Sequence, residues 1–430
     1  MKIMQRILAA VLSLACLMPI TAHAAAPAQG MRGVWVSSVY NLDYPKKATV
    51  SVQQLKSEAD RILNTSKAAG LNTIFLQVRP TSDALYPSAI FPWSHWLTGT
   101  QGTAPADGFD PLAYWVDGAH ARGLELHAWI NPYRVTRDKN WDKLDPSNPA
   151  KQRTDWAVPY KDGNYYYDPG MPDVRELVVD GAAEIVKNYD VDGIHLDDYF
   201  YPGADFADGA TYAKYGAGFS DIADWRRDNV NQLVKMLDTR LHALDPDLAF
   251  GISPAGVWAN KSTDPRGSAT RGGNESYTAA YADSLAWIEA GTIDYIIPQI
   301  YWEIGNPAAD FAVLTDWWSE QTKNTDVDLY IGMATYKCHD AQTPTWTSTA
   351  PIFEALDYLA QQPAVGGEVY FRYGSLEAVP SLPDGLTAHY AARTDNTAPP
   401  ESAFPAGDNP AHAGATFAGI FTLMLGALTR

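Results

Sequence analysis

Residues 191–202 read Val-Asp-Gly-Ile-His-Leu-Asp-Asp-Tyr-Phe-Tyr-Pro. A helical segment ends near Tyr189, and the residues after it alternate apolar with polar until they stop at two carboxylates backed by aromatics and a proline. This pattern predicts a strand that delivers an acid to the carboxyl-terminal mouth of a (β/α)8 barrel, the face where such barrels keep their chemistry. Period-two alternation assigns the two faces. Ile194 and Leu196 share one and are expected under the helices; His195, Asp197 and Tyr199 share the other and are expected to look into the mouth. Asp197 is the first candidate for a catalytic carboxylate.

Strand-like and helix-like segments alternate along the rest of the chain, as βα units do. Strands are expected at 33–38, 72–78, 124–130, 192–199, 249–254, 294–301, 328–335 and 367–372. Helices are expected at 52–69, 111–122, 174–189, 221–244, 277–290, 308–321 and 351–361, with a last one after Ser375. The fold class predicted is α/β, a TIM-like barrel over residues 30–390 with long βα loops. Those after the second to fifth strands are rich in Trp, Tyr, Pro, Gly and Asp, the usual makings of a cleft.

The 430 residues carry a formal charge of -18 and are 46% apolar, enough for a large core. So acidic a chain is a poor partner for nucleic acid or an anionic membrane surface. With 14 Trp and 24 Tyr it is well supplied with flat rings, which fill cores and also stack on sugar faces. Residues 1–24 read as a signal peptide: Lys2 and Arg6, an apolar run from Ile7 to Ile20, then Ala22-His23-Ala24 before a cut. A lipoprotein cut before Cys16 is the rival, weakened by Ser13 where an aliphatic residue is preferred. The protein is therefore expected to be exported, to the periplasm or cell envelope or beyond. Residues 391–414 read as a Pro/Ala-rich linker and 415–430 as an apolar tail. As a helix the apolar part of that tail would be ~21 Å long, short of a ~30 Å hydrocarbon core. Membrane contact is expected only through a lipid anchor or this tail. Cys338 lacks a mature partner unless Cys16 survives, so no disulfide framework is expected.

Polar and aromatic groups gather at other strand ends. The second strand ends in Gln77-Val78-Arg79-Pro80 with Asp83 beyond, and the third in Trp129-Ile130-Asn131-Pro132-Tyr133-Arg134. The sixth ends in Gln299-Ile300-Tyr301-Trp302-Glu303, where parity would turn Glu303 toward the cleft. Glycoside hydrolysis needs one carboxyl as nucleophile or base and a second as proton donor with a raised pKa. Asp197 suits the first role, with His195 and Arg79 as cations to hold it ionised. For the donor, Glu303 leads. Asp198 is held in reserve, because a regular strand turns it away from Asp197. Arg79, Asp83, Asn131, Arg134, His195 and Gln299 would bind or orient, and Trp35, Trp129, Tyr199, Tyr301 and Trp302 would form stacking walls.

The chain resembles the glycosyl-hydrolase-like 10 family of bacterial envelope proteins. The resemblance rests on 32–36 (Arg-Gly-Val-Trp-Val), 77–80 with Asp83-Ala84-Leu85-Tyr86-Pro87-Ser88, and Phe91-Pro92-Trp93-Ser94. It continues through 128–134, 192–199, Gly251-Ile252-Ser253-Pro254 and 298–302, together spanning about Met31 to Gly374. It implies a TIM-like barrel and glycosidase activity on peptidoglycan strands stripped of stem peptides. Residues 192–199 are also similar to the Asp-Gly-x-Asp-x-Asp-x-Glu strand of family 18 chitinases. Their acids fall on His195, Asp197 and Tyr199, so only the middle one is kept. Tyr199 cannot replace the chitinase proton donor, which is why a donor from another strand is expected.

Two rivals remain. A metal-dependent hydrolase would use His195, Asp197 and Asp198, but the chain has nine His and no His-x-His pair, and no metal is expected. A carbohydrate-binding barrel without turnover would keep the rim aromatics and need no second acid. No strand is followed by a Gly-x-Gly-x-x-Gly turn, so no nucleotide cofactor is expected, and none of another kind is implied. The expected partner is a cell-wall polysaccharide; the sequence says nothing of oligomeric state.

Overall fold

A computed structural model describes residues 30–340 and 343–394. The signal segment, Cys16, the apolar tail and all of the expected linker after Thr394 lie outside the described residues.

Eight parallel strands close into a barrel. They are β1 (Met31–Val36), β2 (Thr73–Arg79), β3 (Glu125–Ile130), β4 (Gly193–Leu196), β5 (Ala249–Ile252), β6 (Tyr295–Ile296), β7 (Asp328–Met333) and β8 (Val365–Tyr370). β1 pairs with both β2 and β8, which completes the ring. The helices that return the chain are α1 (Val52–Ala68), α2 (Pro111–His120), α3 (Pro172–Asn188), α4 (Ile222–His242), α5 (Ser284–Ala290), α6 (Phe311–Thr322), α7 (Ala350–Leu359) and α8 (Ser381–Thr394). Side-chain caps start several of them: Ser51, Asp110, Asp221 and Asp310 each accept a backbone N–H of the first turn.

The two faces of the strands separate as alternation requires. Val34, Val36, Ile74, Leu76, Ile194 and Leu196 join the layer under the helices. Trp35, Phe75, Trp129, Tyr295 and Tyr330 belong to a second cluster that fills the barrel. Gly193 and Gly251 make room there: a Cβ on Gly193 would stand 2.3 Å from His127 Nδ1, and one on Gly251 2.2 Å from the Tyr295 ring.

The departures from regularity matter most. β4 stops at Leu196, three residues short of expectation. β6 has only two residues, because Pro298 has no N–H to give a ladder; isolated bridges from Gln299 to Ala255 and Gly332 hold the chain beyond it. The register slips between Gln77 and Arg79, which turns Arg79 to the opposite face. The helix expected at 277–290 is broken at Tyr281, where φ is 55°, leaving Ser276–Ala279 apart from α5. The last helix runs through Thr394, so the first four residues of the expected linker are helical. A two-stranded hairpin, Ala157–Pro159 against Tyr165–Tyr167, stands in the loop after β3 where the sequence pattern announces no strand. No described helix is long and apolar enough to cross a membrane.

Candidate active site

The carboxyl-terminal mouth holds a cavity of about 510 Å³, with Asp197 and Asp198 in its lining. Asp197 is 4% exposed. Its Oδ2 accepts from Trp129 Nε1 at 3.2 Å and from Asn131 Nδ2, and its Oδ1 from the Tyr199 N–H at 3.1 Å. The Asn131 amide is fixed in turn by Gln77 Nε2 at 2.6 Å. Gln77 Oε1 accepts from Ser37 Oγ, Ser38 N and Val39 N, each at 3.0 Å. Three strand ends thus lock one carboxylate through a relay of amides. Gln77, to which the sequence pattern assigns no role, is its hub. Its position near the end of the second strand is visible in the sequence; its partners are not.

Asp198 comes into the same cavity because the pleat has already ended at Leu196. Burial and the charge of Asp197 push its pKa up to about 7, against a hydrogen bond from Gln299 and the charge of Arg134. Burial raises Asp197 as well, but Arg134, the Tyr199 N–H, Asn131 and Trp129 all favour its anion. Of this coupled pair, Asp197 ionises first and Asp198 keeps the proton.

His195 lies beneath the pair as part of the barrel filling. Trp35 Nε1 donates to its Nε2 at 3.1 Å, so Nε2 is an acceptor and the ring proton sits on Nδ1, 3.2 Å from the Tyr295 hydroxyl. Burial and His127 hold its pKa well below the ordinary value. The expected cation beside Asp197 is therefore a neutral imidazole. Its nitrogens are engaged by Trp35, Ser253 and Tyr295, so it does not converge with the two acids as a metal ligand set requires.

Arg79 is also displaced. The register slip buries it beside α3, with its guanidinium 3.9 Å over the Phe91 ring. The cation at the pair is Arg134, which lines the cavity and lies 3.6 Å over the Tyr199 ring. Asp83 is a loop anchor, accepting from Thr81 Oγ1 at 2.8 Å and Gln101 Nε2 at 3.2 Å. Trp35, Trp129, Tyr199, Gln299, Tyr301 and Trp302 all line the cavity, whereas Asn131 works from behind Asp197. Three further aromatics in the lining, Tyr40, Tyr336 and Phe371, escape the sequence reading; Phe371 stacks on Tyr301 at 5.9 Å between ring centroids and extends the aromatic wall.

Glu303, the leading candidate for the donor, is not among the cavity-lining residues. It accepts from Trp346 Nε1 at 3.0 Å and Asn306 Nδ2 at 3.0 Å. Partial burial raises its pKa, but the bonds from Asn306, its own backbone and Trp346, with the charge of Lys337, outweigh that and lower it. A carboxyl held ionised is the wrong form for an acid. Glu303→Gln is accordingly expected to keep kcat within about threefold of the parent and to leave the alkaline limb of the pH–rate profile in place; loss of that limb would return Glu303 to the chemistry.

The sequence profile of the family described as glycosyl hydrolase-like 10 matches residues 30–348. Among named relatives, glycosyl hydrolase YngK of Bacillus subtilis (strain 168) is 44% identical over 386 residues, 86% of this chain and 75% of its own. Glycosyl hydrolase DigH of Escherichia coli (strain K12) is 40% identical over 369 residues, 80% of this chain and 83% of its own. Of solved structures, the glycoside hydrolase domain of PgaB (BpsB) from Bordetella bronchiseptica superposes with a TM-score of 0.56 at 14% identity, over 83% of this chain and 98% of that one. Alpha-L-fucosidase isoenzyme 2 from Paenibacillus thiaminolyticus gives 0.52 at 14% identity, over 85% of this chain and 49% of that one. At such identities the structural likeness speaks for the barrel alone.

Proposed function

The chain belongs to the glycosyl hydrolase-like 10 family and is a glycoside hydrolase, and from that premise we propose that it cuts bacterial cell-wall glycan, namely peptidoglycan strands lacking stem peptides. The observation that carries the chemistry is the coupled pair of acids beside an aromatic wall. Asp198 holds a proton near neutrality and Asp197 does not, the division of labour that glycosidic cleavage needs.

The arrangement also bears on mechanism. Carboxyls that flank a sugar stand about 5–5.5 Å apart for retention or 6.5–9.5 Å for inversion. Asp197 and Asp198 are chain neighbours at one strand end, and no other carboxylate residue lines the cavity among the described residues. The group that attacks from the opposite face is then the substrate's own 2-acetamido oxygen. It bonds to C1 as the glycosidic C1–O bond breaks, the departing oxygen takes the Asp198 proton, and the Asp197 carboxylate accepts a hydrogen bond from the N–H of the cationic ring so formed. Asp198 then takes a proton from the water that opens this ring, which gives net retention. The strand is chitinase-like in this respect, with the donor one residue along from Asp197 rather than two.

The barrel is read as an exported domain working in the cell envelope. The test is incubation with intact sacculi and with strands freed of stem peptides by an amidase, the products read by mass spectrometry and the new anomer by NMR. Fragments from the stripped strands, with retained configuration, are expected. Binding without fragments would favour the non-catalytic barrel, and an inverted product would remove the acetamido step.

A further inference from the structure

Arg134 leaves β3 on a backbone bridge to Tyr166 of the hairpin, so its position is set by main chain as well as by packing. The residue is 4% exposed. Its guanidinium carbon stands 3.6 Å from the centre of the Tyr199 ring, and its Nε is buried with no partner. Among the described residues no carboxylate lies within ion-pair distance of it and no acceptor takes a hydrogen bond from its side chain. Arg226, comparably buried, is by contrast fully engaged: Asp208 takes Nε at 2.9 Å and Nη2 at 2.6 Å, and three further acceptors complete the fork. Arg137, three residues on, lines the same cavity, has a buried Nε without a partner, and reaches Asp162 only at 3.9 Å.

A nearly buried guanidinium whose Nε–H meets no acceptor is costly to hold. The cost is recovered when a bound ligand brings a planar anion that accepts two parallel N–H bonds. The two catalytic acids do not fill that place: Asp197 already faces Trp129, Asn131 and the Tyr199 N–H, and neither it nor Asp198 takes a hydrogen bond from Arg134. The charge balance points the same way. In a chain of net charge -18, the cavity gathers Arg134, Arg137 and Lys337 against Asp197 and Asp198, one of them carrying a proton near neutrality. An acidic protein that must approach an anionic polymer needs such a local reversal of field.

We propose that Arg134, assisted by Arg137, binds a carboxylate carried by the substrate sugar. On the proposed function, on which this inference rests, that group is the free lactyl carboxylate of a muramoyl residue. It exists only after the stem peptide has gone; while the peptide is attached, the same carbon is a neutral amide that offers the guanidinium one oxygen instead of two. The arginine then makes removal of the peptide a condition for tight binding, beyond any exclusion of the peptide by bulk.

The experiment compares stripped strands with the same strands after carbodiimide coupling of their carboxylates to methylamine, for the parent enzyme, Arg134→Gln and Arg134→Lys. For the parent, amidation is expected to lower kcat/KM on the order of 10²-fold, largely through KM. Arg134→Gln is expected to lose at least that factor on untreated strands and to cut treated and untreated strands alike, with Arg134→Lys between. Such non-additivity marks a direct pairing, which a merely structural arginine would not give. Equal cleavage of both strands by the parent, or undiminished sensitivity to amidation in Arg134→Gln, overturns the proposal while leaving the functional reading standing. If the parent cuts neither form of strand, the functional reading falls and this inference with it.

Discussion

Asp198→Asn is expected to lower kcat on stripped strands by about 10³–10⁴-fold and to remove the alkaline limb of the pH–rate profile. The parent enzyme should lose activity as pH rises through about 7, because that is where Asp198 gives up the proton it must deliver. The same shift fixes a stability effect of definite sign. Asp198 has a folded-state pKa raised above its unfolded value of 3.8, so between these values the folded chain holds more protons than the unfolded one. Stability is then lost as pH rises from about 4 to about 7, and the loss is complete above that. The Asn variant lacks this penalty. It should unfold at a higher denaturant concentration than the parent at pH 8, with the difference gone at pH 4. Slower catalysis joined to greater alkaline stability is the signature of a carboxyl strained for function. A variant that keeps its alkaline limb would send the search for the donor elsewhere.

That assignment is only half legible in the sequence. Alternation places all eight strands and puts Ile194 and Leu196 outside and His195 inside, because a pleat obeys parity as long as it lasts. The site lies where it stops. Parity turns Asp198 away only if β4 continues to Tyr199; the strand ends at Leu196, and both acids reach the cavity. Glu303 counts as inward along a strand that Pro298 interrupts, and Arg79 along one that slips at Val78. The contacts that settle charge state are also long-range. Gln77 meets Asn131 across 54 residues and Trp346 meets Glu303 across 43, and no local pattern announces either. The hairpin escapes notice because three-residue strands carry too little alternation to register.

Asp197→Asn is expected to lower kcat by several orders of magnitude with KM and melting temperature near those of the parent. The two shapes are nearly identical, so the cavity keeps its outline. The difference lies in what the side chain can receive. Three donors converge on Asp197, from Trp129, Asn131 and Tyr199. With its oxygen toward Trp129 and Asn131, an Asn keeps two of them and sets its amide N–H against the Tyr199 N–H. That opposed pair costs about 1–3 kcal/mol, and removal of a buried charge offsets part of it. On the proposed function, strand binding draws on the aromatic wall and Arg134, whose side chains the change leaves in place. What disappears is the negative charge facing the cationic ring in the transition state, and kcat alone reports that loss. A collapse of the melting temperature would instead make Asp197 the structural terminus of the Gln77–Asn131 relay. Combining both substitutions separates the cases further. If Asp197 and Asp198 serve one transition state, Asp198→Asn should cost far less in the Asp197→Asn background than alone; if Asp197 only supports the fold, the two losses should multiply.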